Sequence, residues 1–211
     1  MDHIMSSGSG LFTSLLPSKL SLKEVKTEII RKSIHFLIAL SPSMAAVNRS
    51  VTMMLLTIGT LCYAYLETLR LSGMKIGLIS SITAMASRSR DQGRFVMGPV
   101  TLGIGALLAL LLYPSPVASI AIYALAFGDG FASLVGKLFG QIRPVFLGGK
   151  SVEGSLACFT AVLFAAYQVS YNYKTALIAA ITATIVESLP LEDYDNLAIP
   201  ITVGFMAGLA F

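Results

Sequence analysis

Gly128-Asp129-Gly130-Phe131-Ala132-Ser133-Leu134-Val135-Gly136-Lys137 sets one carboxylate inside an otherwise apolar helical pattern. An Asp at mid-membrane costs about 2.5–3.5 kcal/mol on insertion scales, so one that is kept marks a polar cavity or site. Asp129, Ser133 and Lys137 recur every fourth residue and share one stripe. Gly128, Ala132, Gly136 and Gly140 form a second stripe of small residues, the pattern that lets membrane helices approach closely. Two readings follow. Asp129 pairs with Lys137 to hold helices together, or it holds a hard cation such as Mg²⁺ while Gly128, Gly130 and Gly136 open the backbone to phosphate oxygens.

Four further clusters carry chemistry-bearing side chains. Gly148-Gly149-Lys150-Ser151-Val152-Glu153-Gly154-Ser155 resembles the end of a P-loop, but Pro144 stands where that motif requires its first Gly. A glycine loop that delivers Lys150 to a helix N-terminus still suits an anionic phosphate. Glu153 and Ser155 either reach a metal or complete a helix cap. Glu187, Glu192, Asp193 and Asp195, with Asn196, lie between apolar runs and beside Pro190 and Pro200. Closely spaced acids with Asn coordinate hard cations, although a solvated loop has the same composition. Glu28, Arg31, Lys32 and His35 share one helical face, with His35 a turn inside the apolar stretch. Glu67 and Arg70 close another apolar run, either as a local ion pair or as part of a site.

These residues need a membrane scaffold to position them. Of 211 residues, 55% are hydrophobic and only 12% charged, with a mean hydropathy of +0.78. A soluble domain carries about a quarter charged residues, so lipid is the expected solvent. The net charge of +4 does not indicate nucleic acid: Trp is absent and no aromatic platform with interleaved arginines occurs. Cys62 and Cys158 form neither a CxxC pair nor a Cys/His cluster, which argues against zinc and disulfides and leaves buried free thiols. No cleavable leader pattern is evident.

Apolar runs occur at 29–47, 51–69, 95–113, 115–139, 151–171, 173–189 and 197–211. They predict an all-α, polytopic helical bundle with about seven transmembrane helices. Met74–Ala86 is too short to span and is expected to be interfacial or re-entrant. Leu11–Leu22 is expected to lie along the membrane surface and Met1–Gly10 to be disordered. The chain divides into a flexible, amphipathic cytoplasmic segment over 1–27 and one transmembrane domain over 28–211. With the N-terminus cytoplasmic and seven crossings, all of the 15 Lys and Arg except Arg49 and Lys174 fall on the cytoplasmic side. The acids gather there too, which topology does not require. A site using both signs of charge explains it, and points to phosphate chemistry on a membrane substrate. A transporter would put polar groups near the midplane with access from both sides. The bare outer half favours an enzyme.

Taken in order, Glu28/Arg31/Lys32/His35, Glu67/Arg70, the Gly128–Gly140 block, Lys150–Ser155 and Glu187…Asp193/Asp195/Asn196…Pro200 resemble the dolichol kinase, phytol kinase and CTP-dependent diacylglycerol kinase family. The resemblance covers residues 28–200. It implies an all-helical enzyme that uses CTP and a divalent metal to phosphorylate a lipid alcohol at the cytoplasmic face, diacylglycerol or a polyprenol or phytol type. In that reading Asp129 holds Mg²⁺ with Glu153 or the Asp193/Asp195 pair. Arg31, Lys32, Lys137 and Lys150 clamp the triphosphate, and Glu187 takes the alcohol's proton. Arg70, Gly128, Gly130, Gly136, Ser151 and Asn196 join the nucleotide site, and Glu28, His35 and Glu67 support it. The phosphatidate cytidylyltransferases share two of the blocks but close on a basic run, whereas this chain has no Lys or Arg after Lys174. Cytidylyl transfer is therefore the alternative, and a small-solute transporter the third. The partners are a membrane lipid and a nucleotide, with no nucleic acid. The sequence sets no oligomeric state.

Overall fold

The computed structural model describes residues 22–74 and 93–211. The expectations for Met1–Gly10, for most of Leu11–Leu22 and for nearly all of Met74–Ala86 lie outside the described residues.

Among the described residues every regular element is helical. Helix α1 (Leu22–Leu37) passes through a 3₁₀ turn (Ile38–Leu40) into α2 (Ser41–Leu71), which has Pro42 in its first turn, where no N–H is missed. Asn48 breaks α2 with extended torsions (φ −154°, ψ 104°). Its Oδ1 accepts from Val51 N at 3.0 Å and caps the second half. The gap between the first two apolar runs is thus a real break in the helix. Helix α3 (Gly98–Leu112) ends as Tyr113 turns extended ahead of Pro114. Helix α4 (Val117–Tyr123) continues through a π-helical stretch (Ala124–Asp129) into α5 (Gly130–Leu138). Ser151 caps α6 (Val152–Ser170) by accepting from Gly154 N at 3.1 Å. Asn172 caps α7 (Tyr173–Ser188), and α8 (Asp195–Leu209) contains Pro200.

Contacts fix the directions. Arg49 donates to the carbonyls of Leu110 and Tyr113, while Glu67 receives Val96 N at 2.9 Å, so the second half of α2 runs antiparallel to α3. Glu28 meets Lys137 and Lys32 meets Asp129, which makes α1 antiparallel to α5. Tight connections at 171–172 and 189–194 fold α6, α7 and α8 back on one another. Gly105 allows α3 to rest against the Asn196 carbonyl, where a Cβ would stand 2.0 Å away. That carbonyl lacks its helical donor because Pro200 has no N–H.

The leg carrying Asp129 is the core of the bundle: 67% of the apolar window in Val117–Leu138 is buried, against 6% in Val25–Leu71. Its Ile120 and Leu125 pack with Val162, Ile199 and Val203 and with Ala176, Ala179, Ala180 and Ala183 of α7. Small side chains at this spacing bring helix axes close. Three stretches are long and apolar enough to cross a membrane, Val25–Leu71, Val117–Leu138 and Val152–Ser170, and Gly98–Leu112 is a shorter apolar helix. Cys158 is buried as expected, but Cys62 is exposed because it lies on the outer face of α2.

Glu67 is fully buried and grips Arg70 through two bonds of 2.7 Å, and Arg70 also donates to the Arg94 carbonyl at 3.1 Å. Together they clip the segment entering α3 onto α2. Glu67→Ala leaves Arg70 and Val96 N without their acceptor. The expected cost is about 3 kcal/mol, the low end for breaking a buried pair because the Arg70 side chain keeps some exposure. Thermal unfolding in detergent should show it as a drop of roughly 5–10 °C. An unchanged melting temperature with lost activity would instead put Arg70 on a substrate.

Candidate active site

Lys32 and Asp129 form the centre. Lys32 is completely buried, and its Nζ donates to Asp129 Oδ2 at 2.5 Å. His35, one turn further along α1, brings Nε2 to 3.1 Å from the same oxygen without a hydrogen bond between them. Ser133 donates to Asp129 Oδ1 at 3.3 Å. The partner of Asp129 is therefore Lys32, not Lys137. Lys137 instead meets Glu28 Oε2 at 2.5 Å, while Arg31 lies 3.2 Å from Glu28 and 3.8 Å from Asp193. The acidic connection ahead of α8 is thereby drawn onto the basic face of α1.

The glycine loop supplies the opposite wall. Gly148 and Gly149 adopt positive φ, 56° and 90°, which glycine accepts without strain. Their turn sends Lys150 to Glu187, with Nζ 2.9 Å from Oε1 and a second bond to the Glu187 carbonyl. Arg143 pins the loop by donating to the carbonyls of Gly149 at 2.6 Å and Gly136 at 2.5 Å. Between the loop, α5 and the start of α6 lies a cavity of about 160 Å³, bordered by Gly136, Lys137, Lys150, Ser151, Ser155 and Glu187 among others.

The two halves share one electrostatic neighbourhood. The charges felt most strongly at Asp195 are those of Asp129, Lys32, Lys150 and Arg31, and Glu187 feels Lys150, Asp129 and Lys32. Asp129, Lys32, Lys150, Glu187 and Asp195 thus lie within one another's electrostatic reach. Asn196 donates to Thr101 Oγ1 at 2.9 Å and to the Gly98 carbonyl at 3.3 Å, tying α8 to α3 beside this group.

Other residues named from sequence stand elsewhere. A Cβ on Gly128 would meet Val162 at 2.8 Å, and one on Gly130 would meet the Phe36 ring at 2.5 Å. Both glycines serve close helix packing, and of the three only Gly136 borders the cavity. The carboxylate of Glu153 accepts the backbone N–H groups of Gln141 at 3.0 Å and Ile142 at 3.1 Å, which folds the loop onto α6. Glu67 and Arg70 form the clip described above. Sequence reasoning missed Arg143, because nothing in its neighbours marks a guanidinium that bridges two carbonyls.

One pattern unites the site. Among the described residues, the buried side-chain polar atoms without a partner are Arg31 Nε, His35 Nε2, Ser155 Oγ, Glu187 Oε2 and Asn196 Oδ1. Buried polar groups are normally paired, so each calls for an explanation. All five sit on residues of this one neighbourhood, a concentration typical of a ligand site and not of a core.

Among curated proteins the chain is 30% identical to a probable chloroplastic phytol kinase of Triticum aestivum over 70% of its length and 56% of the relative's. The chain is a homologue of the phytol and farnesol kinases. It is also 26% identical to phytol kinase 1 of Arabidopsis thaliana, over 67% of the chain and 52% of the relative. A farnesol kinase of the same plant is 31% identical over 59% of the chain and 46% of the relative. The chain spans about half the length of these lipid-alcohol kinases. No family model matches it, and no solved structure does.

The oxygen donors present suit a hard cation. Among the described residues no three of His, Cys, Asp and Glu form a ready-made metal cluster. Mg²⁺ bound through substrate phosphates, however, needs only one or two carboxylates. Asp195 has no hydrogen bond or ion pair at its carboxylate among the described residues, and it faces the field of Asp129. Asp195 meets that requirement, with Asp193 alongside, and Asp129 meets it where Lys32, whose Nζ stands 2.5 Å from Oδ2, gives up that oxygen. Glu153 fits it less well, since backbone N–H groups occupy its carboxylate.

Proposed function

We propose that this protein is a CTP-dependent lipid-alcohol kinase that transfers the γ-phosphoryl group to an isoprenoid-type alcohol at the cytoplasmic face of a membrane. The observation that carries this reading is the cluster of unpartnered buried polar atoms beside Lys150, Lys32 and Asp129. The phytol and farnesol kinases named above support the kinase over cytidylyl transfer, and phytol-type alcohols over diacylglycerol.

In this reading about seven helical legs cross the bilayer. The start of α1 and the site share the cytoplasmic side, to which the sequence assigns all Lys and Arg but Arg49 and Lys174. Lys137 and Lys150 meet the phosphates across the cavity, with Arg31 and Lys32 closing from α1. Ser151 and Ser155 offer the cavity hydroxyl groups. Asp129 and Asp195, with Asp193, would hold Mg²⁺, which would supply charge neutralisation for the phosphoryl group being transferred.

The alcohol oxygen bonds to the γ-phosphorus while the bond to the β–γ bridging oxygen breaks, and CDP leaves with that electron pair. The alcohol's proton passes to a buried acceptor without a donor of its own. Glu187 Oε2 meets that description, held in place because Oε1 binds Lys150. Positioning and charge neutralisation account for most of such a transfer.

The test incubates the purified protein with γ-labelled CTP, Mg²⁺ and a panel of lipid alcohols. Label is expected in the organic phase with phytol- or farnesol-type alcohols, with release of CDP. Pyrophosphate release on adding phosphatidic acid would establish the cytidylyltransferase instead, and no nucleotide turnover with any lipid would remove the enzyme reading.

A further inference from the structure

One face of the catalytic centre is not explained by nucleotide chemistry. Phe36 follows His35 on α1, and its ring rests on Gly130, the residue after Asp129. It lies 5.2 Å from the Phe131 ring and 6.0 Å from Phe127, which in turn stacks on Tyr123 at 5.5 Å. The aromatic rings run along the seam between α1 and the α4–α5 leg. The seam starts at the Asp129 centre and reaches the outer surface at Phe131, which is 43% exposed. At its inner end His35 is buried, 5% exposed. Its Nε2 has no hydrogen-bond partner. Carrying its proton, an imidazole nitrogen donates to an oxygen. The seam thus joins one unpartnered buried nitrogen to a ladder of apolar rings whose outermost member, Phe131, is partly exposed.

We infer that this seam seats the lipid alcohol, its hydroxyl oxygen accepting from His35 Nε2 so that the hydroxyl proton stays free, and its chain lying along Phe36, Phe127 and Phe131 into the surrounding lipid. The inference rests on the kinase reading above and assigns that site's second substrate to named residues. The chain reaches the centre from the side without crossing the cavity that takes the phosphates. His35 acts here as a positioning residue for the hydroxyl, and Glu187 keeps its part in removing the proton.

The experiment measures KM and kcat for CTP, for a long isoprenoid alcohol and for a short, water-soluble one, using the full chain in lipid vesicles. Phe131→Ala is expected to raise KM for the long alcohol roughly tenfold, since losing apolar contact in a pocket costs that order of discrimination. KM for the short alcohol and for CTP should stay within about twofold of wild type on the same basis. Phe131→Leu, which restores apolar bulk, should recover most of the effect. His35→Gln should raise KM for both alcohols more than it lowers kcat, whereas Glu187→Gln should lower kcat. An unchanged ratio of long- to short-alcohol KM in Phe131→Ala would overturn the seat while leaving the kinase intact. A wild-type protein that phosphorylates no alcohol would overturn the kinase reading and the seat with it. Because Phe131 is partly exposed, its truncation leaves no buried void, and the Ala and Leu variants both remain readable.

Discussion

Asp129→Asn is expected to abolish phosphoryl transfer, a fall of at least about 10³-fold, by analogy with the loss of one electrostatic contact at a developing charge. The same change strips Lys32 of its counter-charge in a fully buried position. Breaking such a pair costs about 3–5 kcal/mol, so the variant should also melt at lower temperature. The two effects can be separated. Lys32→Met combined with Asp129→Leu removes both charges and leaves apolar groups of similar bulk, a replacement that is often neutral or stabilising. The double variant should therefore recover thermal stability in detergent and stay inactive. Recovery of activity along with stability would show that the Lys32–Asp129 pair only holds α1 against α5. Near-normal turnover in Asp129→Asn would remove that carboxylate from the metal site.

Lys150→Met carries the second largest expected effect. The ammonium borders the cavity and lies 2.9 Å from Glu187, at the end of a loop whose turn depends on Gly148 and Gly149. A charge-assisted contact to phosphate contributes on the order of 1.5–3 kcal/mol, so KM for CTP should rise roughly 10- to 100-fold. Lys150→Arg should recover part of that loss, because the charge is kept while its reach and planarity change. KM for the lipid alcohol should move far less in either variant. A nucleotide dependence equal to wild type in Lys150→Met would take this lysine out of the phosphate clamp and confine it to holding Glu187.

Local spacing made some of these arrangements legible. Glu67–Arg70 and Glu28–Arg31 are i,i+3 pairs, and both form, since residues three apart on a helix face one another whatever surrounds them. The small-residue stripe Gly128/Ala132/Gly136 likewise predicts close packing, and α6 meets it at Val162, Cys158 and Gly154. The break between the first two apolar runs falls at Asn48. What spacing did not disclose is which helix comes to lie beside which. Lys137 was a reasonable partner for Asp129 on one helical face, yet Lys32 takes that place from 97 residues away. Glu28, which looked like half of a local pair, also holds Lys137 across 109 residues.

The amino-acid order by itself determined the apolar, helical character of the molecule. Hydropathy and positive-residue counts are sums over the chain and do not depend on packing. It also named most of the residues that turn out to be neighbours, because ionisable groups are costly in lipid wherever they occur. The tertiary structure alone decided their pairing. It made Lys32 the counter-ion of Asp129, gave Arg143 its grip on the glycine loop, turned Gly128 and Gly130 into packing contacts, and left His35 Nε2 and Glu187 Oε2 without partners. Each of these depends on distance between segments remote in sequence, and only the packing of the helices around the buried Val117–Leu138 leg sets those distances.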